Sequence, residues 1–144
     1  VSLVIDASVA IKWAVGEEGS DAATALLGRD EPPVAPQFVL PESANVLWKK
    51  VARRELDAGQ AEVGLALIAR AFPSLIPDAS LIDRALSIAL ELSHPVYDCL
   101  YLACADSTGF PLVTADKRLY EKARSSRHAG LLRFLDHPTS TGST

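Results

Sequence analysis

Short apolar runs along the chain alternate with longer stretches whose apolar positions recur at helical spacing. Residues 1–5 are mostly β-branched and apolar, the composition of a strand buried on both faces, and Asp6 ends the run. Residues 7–15 read as a short helix. Gly16, Gly19 and Ser20 break the pattern before Asp21 opens a second helix over 22–27, and Pro32, Pro33 and Pro36 mark a loop. From Pro41 onward Ala44, Val46, Leu47, Val51 and Ala52 form one apolar side, with Lys49, Lys50, Arg53 and Arg54 near the end. Asp57 caps the next helix, which runs to about residue 71 and completes a helical hairpin. Leu75 and Ile76, between Pro73 and Pro77, form a short strand. Asp78 reads as the N-cap of a helix over 79–92 with a broad apolar stripe.

His94-Pro95 ends that helix, and residues 96–107 form another that is apolar on nearly every side, closed by Gly109. Residues 112–114 are a strand, 116–124 a helix and 132–135 a last strand. Short apolar strands separated by helices predict an α/β sandwich with a central parallel sheet. Residues 1–136 are expected to make one domain. Residues 137–144 carry no apolar anchor and are expected to fray.

At 144 residues and 49% hydrophobic, the chain can build one sizeable core and is not disordered as a whole. No apolar run approaches the length of a membrane-spanning helix, and the first residues lack the pattern of a signal peptide, so a cytoplasmic protein without membrane contact is expected. Cys99 and Cys104 lie on different sides of one helix and read as small core residues. A net charge of −4 argues, by bulk charge, against a nucleic-acid binder.

Phosphate-loop, dinucleotide-binding and nucleophile-elbow signatures are absent. His94, His128 and His137 have no metal-site spacing and read as solvent-facing or capping residues. Four carboxylates need another explanation. Asp6 and Asp116 each follow a buried strand, where open α/β sheets bind ligands. Asp98 interrupts the apolar helix PVYDCLYLACA, where a charge is costly without a partner, and Glu42 follows Pro41 at a helix start. Singly, Asp116 reads as an N-cap and Glu42 as a first-turn acid favoured by the helix dipole. Asp106 reads as part of an ordinary helix ending. Converging on one sheet edge, the four would repel one another unless a divalent cation lay between them, and oxygen donors without His or Cys favour Mg²⁺ or Mn²⁺. Such an ion works on phosphodiesters, and the basic clusters at 49–54 and 117–127 could hold the rest of a polynucleotide.

IDASVAIKW with Asp6, LPESANVLWKK with Glu42, YDCLYLACA with Asp98 and TAD with Asp116 together resemble the PIN domain, in particular the VapC-type toxins of bacterial toxin–antitoxin pairs. The resemblance runs from about Ser2 to Leu135. It implies a three-layer α/β/α sandwich, Mg²⁺- or Mn²⁺-dependent endoribonuclease activity on RNA, a homodimer, and inhibition by a VapB-type antitoxin that covers the acidic site. Asp6, Glu42, Asp98 and Asp116 match the family's metal-binding acids, and Ser8 and Thr114 its polar site-lining positions.

Two other readings compete. Phosphatases and receiver domains also place an Asp after a strand, but the phosphatase pattern has a second Asp where this chain has Ser8, and a receiver needs an acid pair before its phospho-acceptor. A non-catalytic binding module of the same fold is the other. With the four site acids set aside, 14 acids face 14 bases, so the acidic excess is no larger than the proposed metal site and ceases to weigh against a polyanionic substrate.

Overall fold

The computed structural model describes residues 1–135. In chain order it contains β1 (Val4–Ile5), α1 (Ala7–Ala14), α2 (Ser20–Leu26), β2 (Ala35–Pro36), α3 (Val39–Ala52), α4 (Ala58–Ala71), β3 (Leu75–Ile76), α5 (Ile82–Leu92), α6 (Val96–Thr108), β4 (Leu112–Thr114), α7 (Lys117–Ala123) and β5 (Leu132–Phe134), with 3₁₀ turns at Asp78–Ser80 and Ala129–Leu131. All pairings are parallel: β1 lies beside β4 and β4 beside β5, while β2 pairs with β3. A parallel bridge between Val4 and Val34 joins the two groups, so the spatial order is β3-β2-β1-β4-β5. This is the three-layer α/β/α arrangement, with α1 packed on α2, α3 and α4, and α6 lying across β1, β2 and β4 with α5 against it.

The order places the site. From β1 the chain steps outward to β2 and β3, then returns to the other side of β1 to lay down β4. The reversal falls between β1 and β4, and open α/β sheets bind ligands beyond the carboxyl ends of the strands at such a point. In the register Ile5 stands beside Val113, so Asp6, the first residue past β1, comes next to Thr114, the last residue of β4.

Burial of the strands and α6 supplies the core. Val4, Ile5, Leu112 and the run from Cys99 to Ala105 are all buried, and each large aliphatic among them contributes about 1.5–3 kcal/mol. Burial pushes the Cys99 and Cys104 thiols up to about 11 and about 12, which leaves them as core residues. At Gly64 a Cβ would stand 3.0 Å from the Ala14 Cβ, so glycine allows α4 its close approach to α1. Gly109 closes α6 at φ +77°, a conformation that favours glycine. No helix among the described residues is long and apolar enough to cross a membrane.

Most predicted elements agree with the structure to within a residue or two, and three details are corrected. The proline-marked loop contains β2, whose last residue is Pro36. Asp78 does not cap α5. It opens a 3₁₀ turn, and its Oδ1 accepts the Phe38 N–H at 3.0 Å, tying that turn to the start of α3. His94 and His128 are not solvent-facing: the His94 side chain is 3% and the His128 side chain 8% exposed. His137 and the expected frayed tail lie outside the described residues.

Candidate active site

Asp6 is the centre of the site. It leaves β1 with extended backbone and caps α1, its Oδ1 accepting the Val9 N–H at 3.2 Å and the Ser8 hydroxyl at 2.6 Å. Its Oδ2 accepts the Thr114 hydroxyl at 2.5 Å. The residue is 4% exposed, and burial pushes its carboxyl up to about 6, against the pull of these three hydrogen bonds and with a small addition from the charge of Asp116.

The two hydroxyls are also acceptors. Ser8 Oγ takes the Ala115 N–H at 2.8 Å, and Thr114 Oγ1 takes the Asp116 N–H at 3.0 Å. The loop from β4 to α7 is thus tied to the Asp6 carboxylate through both side chains. Asp116 caps α7, its Oδ1 accepting from the Arg118 and Leu119 N–H groups at 2.9 and 3.2 Å, while none of these bonds uses its Oδ2. The capping and the site readings of Asp116 are therefore compatible.

Glu42 and Asp98 come from helices. Glu42 lies in the first turn of α3, where the helix dipole favours a carboxylate, and its Oε1 accepts the Tyr101 hydroxyl at 2.5 Å. Partial burial pushes it up to about 7, opposed by the Tyr101 bond and reinforced by the charges of Asp6, Asp98 and Asp116. The charges of the other three acids thus all reach Glu42. Asp98 lies in the first turn of α6, and its Oδ2 stands 2.7 Å from His94 Nε2, which donates. The partner that the apolar helix around Asp98 calls for is His94; the Asp98 side chain is 25% exposed, and Asp6 is the acid of the four buried most deeply.

Tyr101 and His94 are the hydrogen-bond partners of Glu42 and Asp98, and the sequence reading did not assign them to the site. The Tyr101 side chain is buried, its hydroxyl donates to Glu42 and takes a hydrogen bond from the Ala7 backbone, and burial beside Glu42 holds it well above the ordinary phenol range. A buried tyrosine needs a partner for its hydroxyl, a signal the sequence carried, whereas His94 lies between α5 and α6 and reaches Asp98 from outside the helix. Asp106, set apart as structural, pairs with Arg84 at 3.4 Å. Within the basic cluster at 49–54, Lys50 is engaged by Glu17 and Glu55 at 3.4 and 3.6 Å.

Among the described residues, no three His, Cys, Asp or Glu side chains stand close enough to enclose an ion. The donor set nevertheless fits a hard cation: every acid offers oxygen, and the mutual repulsion of the four is what a divalent charge would relieve. Mg²⁺ keeps several waters and needs only one or two carboxylates directly, so a cage of three is not required.

The family model of the PIN domain matches residues 3–125. Ribonuclease VapC3 of Pyrobaculum aerophilum is 32% identical over 124 residues, covering 85% of this chain and 95% of that protein. Exonuclease VapC9 of the same organism is 32% identical over 85 residues, covering 59% of this chain and 62% of that protein. Among solved structures, PAE2754 from Pyrobaculum aerophilum superposes with a TM-score of 0.69 at 26% identity, covering 88% of this chain and 82% of that one. VapC20 of Mycobacterium tuberculosis, a toxin that cleaves the sarcin-ricin loop, superposes with a TM-score of 0.63 at 18% identity, covering 85% and 95%, a likeness of fold alone.

Proposed function

The chain belongs to the PIN-domain family, and from that premise we propose that it is a Mg²⁺- or Mn²⁺-dependent endoribonuclease, the toxin of a VapBC-type pair. The observation that carries this reading is that Asp6 and Asp116 follow β1 and β4, where strand order reverses, while Glu42, raised chiefly by burial, is raised further by the charges of Asp6, Asp98 and Asp116. Asp6, Asp98 and Asp116 would hold the metal directly or through water, with Glu42 beside them. When bound, the ion would lower the pKa of a water and neutralise charge on the phosphodiester.

The chain's own residues do the rest. Ser8 and Thr114 occupy both Asp6 oxygens with donors and so fix the carboxylate's orientation. Glu42, held near 7 with Oε1 on Tyr101, has Oε2 to take a proton from an attacking water, and a base poised near the working pH is the most effective one. His94 fixes the rotamer of Asp98. A buried Asp6 with three hydrogen bonds is poorly exposed for attack on a phosphodonor, which weighs against the phospho-acceptor reading.

Homodimerisation is part of this proposal. Ile82, Leu86 and Leu90 recur every four residues on α5 and are 44%, 49% and 74% exposed, an apolar stripe that a second copy would cover. A VapB-type antitoxin and a cytoplasmic setting follow from the family reading. The relatives' names include both a ribonuclease and an exonuclease, so the cleavage direction is itself open to test. Incubation of a mixed RNA pool with Mg²⁺ or Mn²⁺, wild type against Asp98→Asn, with mapping of the new 5′ ends, is expected to give internal cuts that the variant loses. Full metal-dependent cleavage by Asp98→Asn would overturn the site, and shortening from the ends alone would overturn the endonuclease assignment.

A further inference from the structure

The first turn of α6 carries an aromatic residue that the core does not use. Tyr97 is 64% exposed, although Cys99 to Ala105 of the same helix are buried. Its ring is stacked on Phe38, with centroids 5.1 Å apart and planes at 16°. Phe38 is partly buried, tilted against Tyr101 at 6.3 Å and fixed through its backbone N–H by Asp78. Phe38 is thus a rigid base, and Tyr97 presents a preset aromatic surface above it.

The position is specific. Phe38 precedes Glu42 by one helical turn and Tyr97 precedes Tyr101 by one turn, so Phe38–Tyr97 and Glu42–Tyr101 are successive contacts between the starts of α3 and α6. One turn is about 5.4 Å, within the reach of one nucleotide. Tyr97 is also the chain neighbour of Asp98. Resting on the nuclease reading above, we propose that Tyr97, backed by Phe38, is a stacking platform for an unpaired nucleobase next to the phosphodiester being cut. Single-stranded RNA is held in this way, because every base has a π-face and an aromatic ring fixed in advance loses little entropy on stacking.

The test is a cycle between ring and base, read as kcat/KM for cleavage by the full chain. Tyr97→Ala is expected to cleave an intact single-stranded RNA about 10-fold less efficiently than wild type, with Tyr97→Phe and Tyr97→Trp close to wild type. On substrates carrying one abasic nucleotide near the cut, wild type is expected to lose the same factor at one position, and Tyr97→Ala to lose nothing further there. Equal cleavage of intact RNA by wild type and Tyr97→Ala overturns the platform while leaving the nuclease intact. So does a loss that Phe and Trp fail to restore, or one that persists unchanged at every abasic position. A Tyr97→Ala variant that changes the oligomeric state in light scattering identifies a subunit contact and likewise overturns it. Absence of cleavage by wild type overturns the nuclease reading itself.

Discussion

Asp6 and Asp98 both act on Glu42 through their charge but are held in opposite ways. Asp6 sits at the end of a strand, accepts three hydrogen bonds from a neighbouring residue, a helix N-terminus and the adjacent strand, and is almost wholly buried. Asp98 sits on a helix, meets the single donor His94 and remains partly in solvent. Glu42 resembles Asp98, with one donor from Tyr101. The inner half of the site is therefore positioned by sheet register and the outer half by single side chains across helix starts. A carboxylate in the core needs several donors, whereas carboxylates nearer solvent need only orientation.

The largest effects should fall on the inner half. Asp6→Asn is expected to lower metal-dependent cleavage on the order of 10³-fold and Asp98→Asn on the order of 10²-fold, measured as single-turnover rates on one RNA. A reversed order would mean that the outer half, not the strand end, holds the reacting groups.

The next effect is on stability and has an unusual sign. The Asp6 and Glu42 carboxyls rise to about 6 and about 7, from ordinary values of 3.8 and 4.5. Between those limits the folded chain holds more protons than the unfolded one, so stability falls as pH rises through this window and is greatest below it. Asp6 alone accounts for about 3 kcal/mol at most. Urea unfolding without divalent ions should therefore show lower stability at pH 8 than at pH 5, and Asp6→Asn should flatten the slope. Millimolar Mg²⁺ or Mn²⁺ should flatten it too; a slope unmoved by both would place the buried charge elsewhere.

Donor removal probes the same contrast at smaller scale. Thr114→Val deprives Asp6 of one donor in the core and is expected to cost about 100-fold in cleavage, while His94→Leu deprives Asp98 of its donor near solvent and is expected to cost about 10-fold. Water can reach the partly exposed Asp98 carboxylate but has little access beside Thr114. Calorimetric titration with Mn²⁺ should rank the two variants in the same order.

Much of this was legible in the chain. Two strand ends followed by Asp, an acid after Pro41 and an acid inside an apolar helix marked all four carboxylates, because strand ends and charges in apolar surroundings are local signals. Ser8 and Thr114 were legible through motif resemblance. The strand at Ala35–Pro36 was not, since two residues including a proline carry no period. The partnership of Asp78 with Phe38 spans 40 residues and that of Tyr101 with Glu42 spans 59, distances over which no local pattern operates. The relative burial of Asp6 and Asp98 is likewise decided by tertiary packing.

The smallest expected effect separates orientation from chemistry in the outer half. Tyr101→Phe removes one oxygen from a buried ring and keeps its packing, so the fold should persist, with the Ala7 N–H left without the phenolic acceptor. The hydrogen bond to Tyr101 opposes the rise of the Glu42 carboxyl, so its loss pushes that carboxyl higher. If Glu42 acts as the base, the acid limb of the pH–rate profile moves to higher pH, and cleavage drops several-fold at pH 6.5 but much less at pH 8.5. If Tyr101 only fills space, the rate changes by the same factor at every pH. A uniform loss would assign Glu42 to holding charge rather than to moving a proton.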